Sequence, residues 1–129
     1  MFGGAVRFPV VVSIDYDPGA DDILPVWRAP QACEIKSAYA IAVSDVAAGT
    51  VNYFAATLQN GGTAGTATDA ISAAIGGTPG WTGLLPVAFA IGSGSANLAA
   101  GEVVTVSYDE TGTGTFTQLI VQLDVVMGT

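Results

Sequence analysis

The sequence predicts an all-β protein: a single antiparallel two-sheet β-sandwich, jelly-roll-like, with roughly seven or eight strands. Three observations carry this. Apolar residues recur at every second position over most of the chain, the period of a strand with one buried face. Glycine-rich segments such as "NGG" at 60–62 and "TGTGT" at 111–115 separate these runs and supply residues that tolerate positive φ. The chain has 129 residues, which suits one domain able to bury its own core without staples.

The elements follow in order. Residues 1–22 are compositionally distinct, with Gly3, Gly4, Pro9, Pro18 and a run of acids. They read either as an N-terminal arm outside the sandwich or as a first strand over 6–14 with an acidic turn, and 23–129 as the sandwich. A second strand is expected over 23–28. "ACEIKSAYAIAV" places Cys33, Ile35, Tyr39, Ile41 and Val43 on one face and Glu34, Lys36 and small alanines on the other. "TVNYFAATLQN" carries Phe54, Ala56 and Leu58 on one side. In "TDAISAAIGG", Ala70, Ile71, Ala74 and Ile75 fall at helical spacing, Thr68 or Asp69 offers a cap, and Gly76 and Gly77 a stop. A short helix over 69–75 therefore competes with a strand. Another strand is expected over 85–91, with Pro25 and Pro86 at strand starts or edges because proline cannot donate to a ladder. "AAGE" at 99–102 is a further turn. "EVVTVSYDE" alternates Val104, Val106 and Tyr108 with Thr105, Ser107 and Asp109. "FTQLIVQLDVV" alternates Leu119, Val121, Leu123 and Val125 with Gln118, Ile120, Gln122 and Asp124. Joined by "TGTG", these last two runs read as a C-terminal hairpin.

Composition removes several function classes. Three basic residues stand against eleven acids, giving a net charge of −8, so counterion release offers almost nothing for nucleic-acid binding. Half the residues are hydrophobic. Yet the longest charge-free stretch, Ala70–Gly101, is broken by glycines and prolines, which argues against a membrane span. Arg7 precedes only a brief apolar run before the acids, unlike a signal peptide. Charged residues are 11% of the chain, against a usual value of about 25%. Two causes fit: a surface covered by other protein, or an alanine-rich composition.

Catalytic equipment is sparse. The chain has no histidine, which removes the commonest general base and transition-metal ligand. Cys33, the one cysteine, cannot form an intrachain disulfide and alternates in phase with apolar residues, as a small buried hydrophobe does. "GSGSAN" at 92–97 fits neither a dinucleotide loop, nor a phosphate loop, nor a nucleophile elbow. A carboxylate pair such as Glu34 and Asp124 would serve a glycosidase, but both alternate with apolar residues on strands that keep a wet face. No enzyme and no cofactor is expected.

"DYDPGADD" concentrates Asp15, Asp17, Asp21 and Asp22. A calcium loop started at Asp15 matches at Asp17 but fails at Gly19, Ala20 and Val26. "DPG" is itself a turn signal, and acids keep a turn wet. The turn is the stronger reading, with calcium its rival and no metal site assigned.

From Val26 onward, the order "VWRAPQACEIKSAYAIAV", "TVNYFAATLQNGG", "LAAGEVVTVSYDETGTGT" and "LIVQLDVV" resembles the capsid decoration proteins of tailed bacteriophages, also called head auxiliary or cement proteins. The resemblance spans about residues 24–127. It rests mainly on strand grammar, and no single motif carries chemistry. It implies a non-enzymatic protein that binds the outer surface of the capsid in the virion and stabilises contacts between major capsid protein subunits. It implies the major capsid protein as partner, with self-association on the capsid. Sparse charge and missing catalytic groups agree with such a role.

Trp and Arg are enriched at binding hot spots, so Trp27 and Arg28 are candidate contacts. Trp81, in "TPGWTG", is a third, and Phe2, Arg7 and Phe8 form a group nearer the start. Core packing is the rival role for each tryptophan. Two other functions remain open. A carbohydrate- or receptor-binding module would present Tyr39, Tyr53, Tyr108 or Trp81 to a sugar face. A carboxylate enzyme would bring two acids together across a cleft.

Overall fold

The computed structural model describes residues 6–15, 20–46, 53–76, 80–92, 96–112 and 118–127. Ten strands form two antiparallel sheets. In chain order they are β1 (Val6–Ile14), β2 (Asp22–Arg28), β3 (Cys33–Ala42), β4 (Tyr53–Asn60), β5 (Asp69–Ala70), β6 (Ile75–Gly76), β7 (Val87–Phe89), β8 (Asn97–Leu98), β9 (Val103–Thr111) and β10 (Leu119–Met127). The first sheet runs β1-β10-β3-β7, with β8 also on β3. The second runs β2-β9-β4-β5, with β6 also on β4.

The short pieces explain the count. β5 and β6 lie along the same side of β4, and β7 and β8 along the same side of β3. Each pair fills the place of one strand, which leaves the eight places of a jelly roll. β1 and β3 belong to the first sheet, β2 and β4 to the second, so the chain crosses between layers as it winds. The chain segment over 6–14 is a sheet strand, paired with β10 from Val6↔Met127 to Ile14↔Leu119.

The expected C-terminal hairpin does not form. β9 pairs with β2 and β4, whereas β10 pairs with β1 and β3 in the other sheet. Both strands carry full alternating apolar faces, and each buries its face best by facing the other across the core. Residues 113–117 of the connecting "TGTGT" lie outside the described residues. The "NGG" turn does return the chain antiparallel: β5 pairs with β4 through Gln59↔Ala70 and Asn60↔Asp69. Gly62 stands at φ 69° and donates its N–H to Asn60 Oδ1 at 2.9 Å.

Most face assignments hold. Phe54, Ala56 and Leu58, then Val104, Val106 and Tyr108, then Leu119, Val121, Leu123 and Val125 are all buried in one core. The face of β3 is the exception. Its register against β10 steps from Asp124↔Ser37 to Val125↔Ile35, so Lys36 is an extra residue. A one-residue bulge reverses every later side chain. Cys33 and Ile35 face the core, but beyond the bulge Ala38, Ala40 and Ala42 do, and Tyr39 and Ile41 turn outward. Period-two reading across "EIKSAY" missed that step.

The short helix competing over 69–75 is absent. Ile71 and Ser72 send their N–H groups to Leu58 O at 2.8 and 3.2 Å, and Ser72 Oγ accepts from Leu58 N at 3.0 Å. These donors join β4 instead of the local carbonyls a helix needs, and Ile71 is buried against the core.

Three alanines on the inner face of β3 leave room for large rings opposite. Phe54 stacks on Trp81 at 4.9 Å and 13°, and meets Tyr108 at 5.2 Å. Ala40→Leu should therefore overpack the core and lower unfolding stability by about 2 kcal/mol in denaturant titration, whereas outward-facing Ile41→Ala should change it by less than about 1 kcal/mol.

Candidate functional site

Charge and exposure single out the side of the sandwich where β1 and β2 form neighbouring edges. On β1, Arg7, Pro9, Val11 and Ser13 face outward, while Phe8, Val10 and Val12 are partly buried against the core. On β2, Leu24 and Val26 face the core, and the register steps between Pro25 and Trp27, leaving Val26 as a bulge. Phe8 from the first sheet meets Trp27 from the second edge to face, with centroids 6.2 Å apart at 70°. This pair closes the open side between the layers.

Arg7 grips Asp124 through Nε at 2.9 Å and a second contact from Nη2. That hydrogen bond holds the Asp124 carboxyl below its ordinary range, helped by the attraction of the two charges and by Ser37 Oγ. The same bond raises the Arg7 guanidinium further. Arg28 is exposed and lies over the 99–102 turn, where a Cβ on Gly101 would sit 3.2 Å from its Nη2. Gly101 at φ 87°, and Glu102 Oε1 accepting from Ala99 N at 2.6 Å, fix that turn.

Two shallow recesses flank these edges. One, of about 260 Å³, is lined by Val12, Ser13, Ile14, Asp15, Leu24 and Pro25. The other, of about 390 Å³, is lined by Asp21, Asp22, Ile23, Ser107 and Asp109. Asp21 and Asp22 serve as backbone caps. Asp21 Oδ1 accepts from Glu110 N and Asp22 Oδ1 from Ile23 N, both at 2.8 Å, and Asp15 accepts from Ser13 Oγ. Among the described residues no three metal-ligating side chains converge. Asp17 lies outside the described residues.

The sequence-named contacts divide. Arg7, Phe8, Trp27 and Arg28 lie on the two neighbouring edge strands. Phe2 falls outside the described residues. Trp81 does not join them: it is 3% exposed and takes the core role. Its backbone exchanges two 2.9 Å hydrogen bonds with Val46, its Nε1 donates to Phe54 O at 3.3 Å, and the indole packs against Gly76. A Cβ at Gly76, whose φ is 92°, would come within 2.5 Å of that nitrogen. Turn residues around a tryptophan signal a loop, not whether the loop folds inward.

The sugar face and the carboxylate pair fare similarly. Tyr108 and Trp81 are buried, Tyr39 is half exposed, and the Tyr53 side chain is not among those described. Glu34 pairs with Lys36 at 3.0 Å, while Asp124 pairs with Arg7. Burial pushes the Cys33 thiol up.

Sequence reasoning missed the most exposed large apolar residues among those described. Leu84 is 72% exposed, Val11 60% and Leu85 54%. Thr82–Leu85 is a tight turn with Leu85 N on Thr82 O at 3.1 Å. Leu84 stands in it at φ 67°, a position glycine or asparagine normally takes. Leu84 N bonds Ala42 O at 2.8 Å and Gly83 N bonds Asp45 Oδ1 at 2.6 Å, so the turn is tied down on both sides. A leucine pair before a proline is a visible signal, but the charge-free run around it reads as a strand entry.

No family model matches this chain, and no curated protein matches it. Among solved structures it is similar to one of infectious bursal disease virus, Gx strain, at 12% identity and a TM-score of 0.33, covering 96% of this chain and 41% of the other. A Gt-strain structure of the same virus follows at 12% identity and a TM-score of 0.29, covering 97% and 42%. The chain thus spans about two fifths of those chains. Likeness at this level carries no argument about function.

Trp81→Ala should cost about 3–5 kcal/mol of unfolding stability, as loss of a buried stacked ring does. Arg7→Gln should move the Asp124 carboxyl titration, followed by NMR, up toward the ordinary carboxylate range. Because the native carboxyl lies below its unfolded value, the pair stabilises the fold above the unfolded pKa. That contribution disappears as pH falls through the native pKa. The pair is exposed, so the effect on stability is small and salt-sensitive.

Proposed function

We propose that this chain is a non-enzymatic structural protein of a tailed-phage virion. In this reading it binds the outer surface of the capsid and stabilises contacts between major capsid protein subunits. The observation that carries the reading is the Leu84–Leu85 knuckle. Two large apolar side chains stand in water on a turn pinned by backbone hydrogen bonds to β3 and Asp45. A leucine in left-handed backbone costs about 1–2 kcal/mol. Strain of this kind persists where a position serves something other than stability. A rigid, uncharged projection suits insertion into a pocket of a partner, because little conformational entropy is lost on docking.

The sequence resemblance supports the same role, and the sparse charge of the chain agrees with a surface meant for contact. The alternative of a sugar-binding module loses support, since two of its four candidate rings are in the core.

The test is co-sedimentation with expanded capsids that lack decoration. Wild-type protein should pellet with them. Leu84→Asp combined with Leu85→Asp should weaken binding about 100-fold, tenfold for each side chain, while circular dichroism stays unchanged. Wild-type protein left in the supernatant at every capsid concentration would overturn the proposal.

A further inference from the structure

The two neighbouring edges are not protected alike. Exposed edges recruit other strands unless proline, bulges, charge or caps blunt them. β2 has all of these among its seven residues: Pro25, the Val26 bulge, Asp22 at its start, and the Ile23 N–H already taken by Asp22. β1 is nine residues long and pairs with β10 without a register step. Among its described residues its protection is Pro9 and the charge of Arg7, both in its first half. From Val10 to Ile14 it offers an unbroken, uncharged strand in which Val11 is 60% exposed.

Pro9 also fixes the phase. An edge proline sits where its nitrogen faces away from the neighbouring strand. The backbone groups of Arg7, Pro9, Val11, Ser13 and Asp15 are then the outward ones. Against a second copy running antiparallel, this strand is chemically self-complementary about Val11. Arg7 falls opposite Asp15, Phe8 opposite Ile14, Pro9 opposite Ser13, Val10 opposite Val12, and Val11 opposite itself. The charged ends are opposite in sign, the centre is aliphatic, and the proline, which brings no donor, faces a small residue. Arg7 keeps donors beyond those it gives Asp124. The register also sets Phe8 of one protomer beside Ile14 of its partner, a residue that lines the recess between β1 and β2.

We infer that β1 pairs with β1 of a second copy of this chain, antiparallel about a two-fold axis through Val11, and joins the two first sheets into one. An isologous contact requires that residue i meet j and j meet i, and this strand satisfies that rule at every described position from Arg7 to Asp15. The pairing does not use the Leu84–Leu85 knuckle and stands apart from capsid binding.

Sedimentation equilibrium and cysteine cross-linking test it. Wild-type protein should be a dimer, and Val11→Lys, at an exposed position, should be a folded monomer because two ammonium groups meet on the axis. Directly opposite residues have Cα atoms about 4.5–5.5 Å apart, within disulfide reach. Val11→Cys should therefore oxidise to a covalent dimer. Pro9→Cys alone should not, but mixed with Ser13→Cys it should. A wild type that stays monomeric up to about 1 mM overturns the inference, as does a Val11→Lys variant that remains dimeric, or cross-linking in any other register. A monomer that still pellets with capsids sinks the pairing alone. A dimer that does not pellet sinks the capsid reading alone.

Discussion

The architecture depends on a volume match across the core. The inner face of β3 past its bulge is alanine only, and Ala38, Ala40 and Ala42 are all essentially unexposed. The second layer answers with Phe54 and Tyr108, and the 80–86 loop adds Trp81. Small against large lets two sheets approach without voids. The bulge at Lys36 creates this match. Without it, Tyr39 and Ile41 would point inward at rings that already fill the space.

The same match positions the surface. Because Trp81 is drawn onto Phe54, the residues after it must leave the core at once. Thr82–Leu85 does so in a single turn held to β3 and to Asp45. Gly76 makes the approach possible, since any side chain there would collide with the indole. The strained, exposed Leu84 is thus tied through two residues of backbone to the centre of the hydrophobic core. A projection mounted this way keeps its shape when it meets another surface.

At the opposite end of each sheet from the short strands, the chain treats two adjacent edges differently. The acids at Asp21 and Asp22 cap backbone groups at the mouth of β2 and beside β9. The acidic cluster, read in sequence as a wet turn with calcium as its rival, is partly an edge-closing device. Among the described residues, β1 carries only Arg7 and Pro9 against such pairing, and nothing from Val10 to Ile14. Where nearly all edge protection falls on one of two neighbouring strands, the unprotected one is the natural place for another chain.

The sequence by itself determined the class, the two layers and the inner faces of β4, β9 and β10. A period of two survives any arrangement of strands, since burial acts on each strand separately. It also placed the turns at "NGG" and "AAGE", where Gly62 and Gly101 take the positive φ that glycine tolerates whatever surrounds it. Tertiary structure decided the rest. The pairing of β9 and β10 in different sheets, the bulge at Lys36, and strand over helix at 69–75 each depend on which distant backbone offers a partner. The fate of Trp81 and the exposure of Leu84 depend on whether a loop finds room in the core. Those are questions of volume and hydrogen-bond supply between segments far apart in the chain, and local pattern holds no record of them.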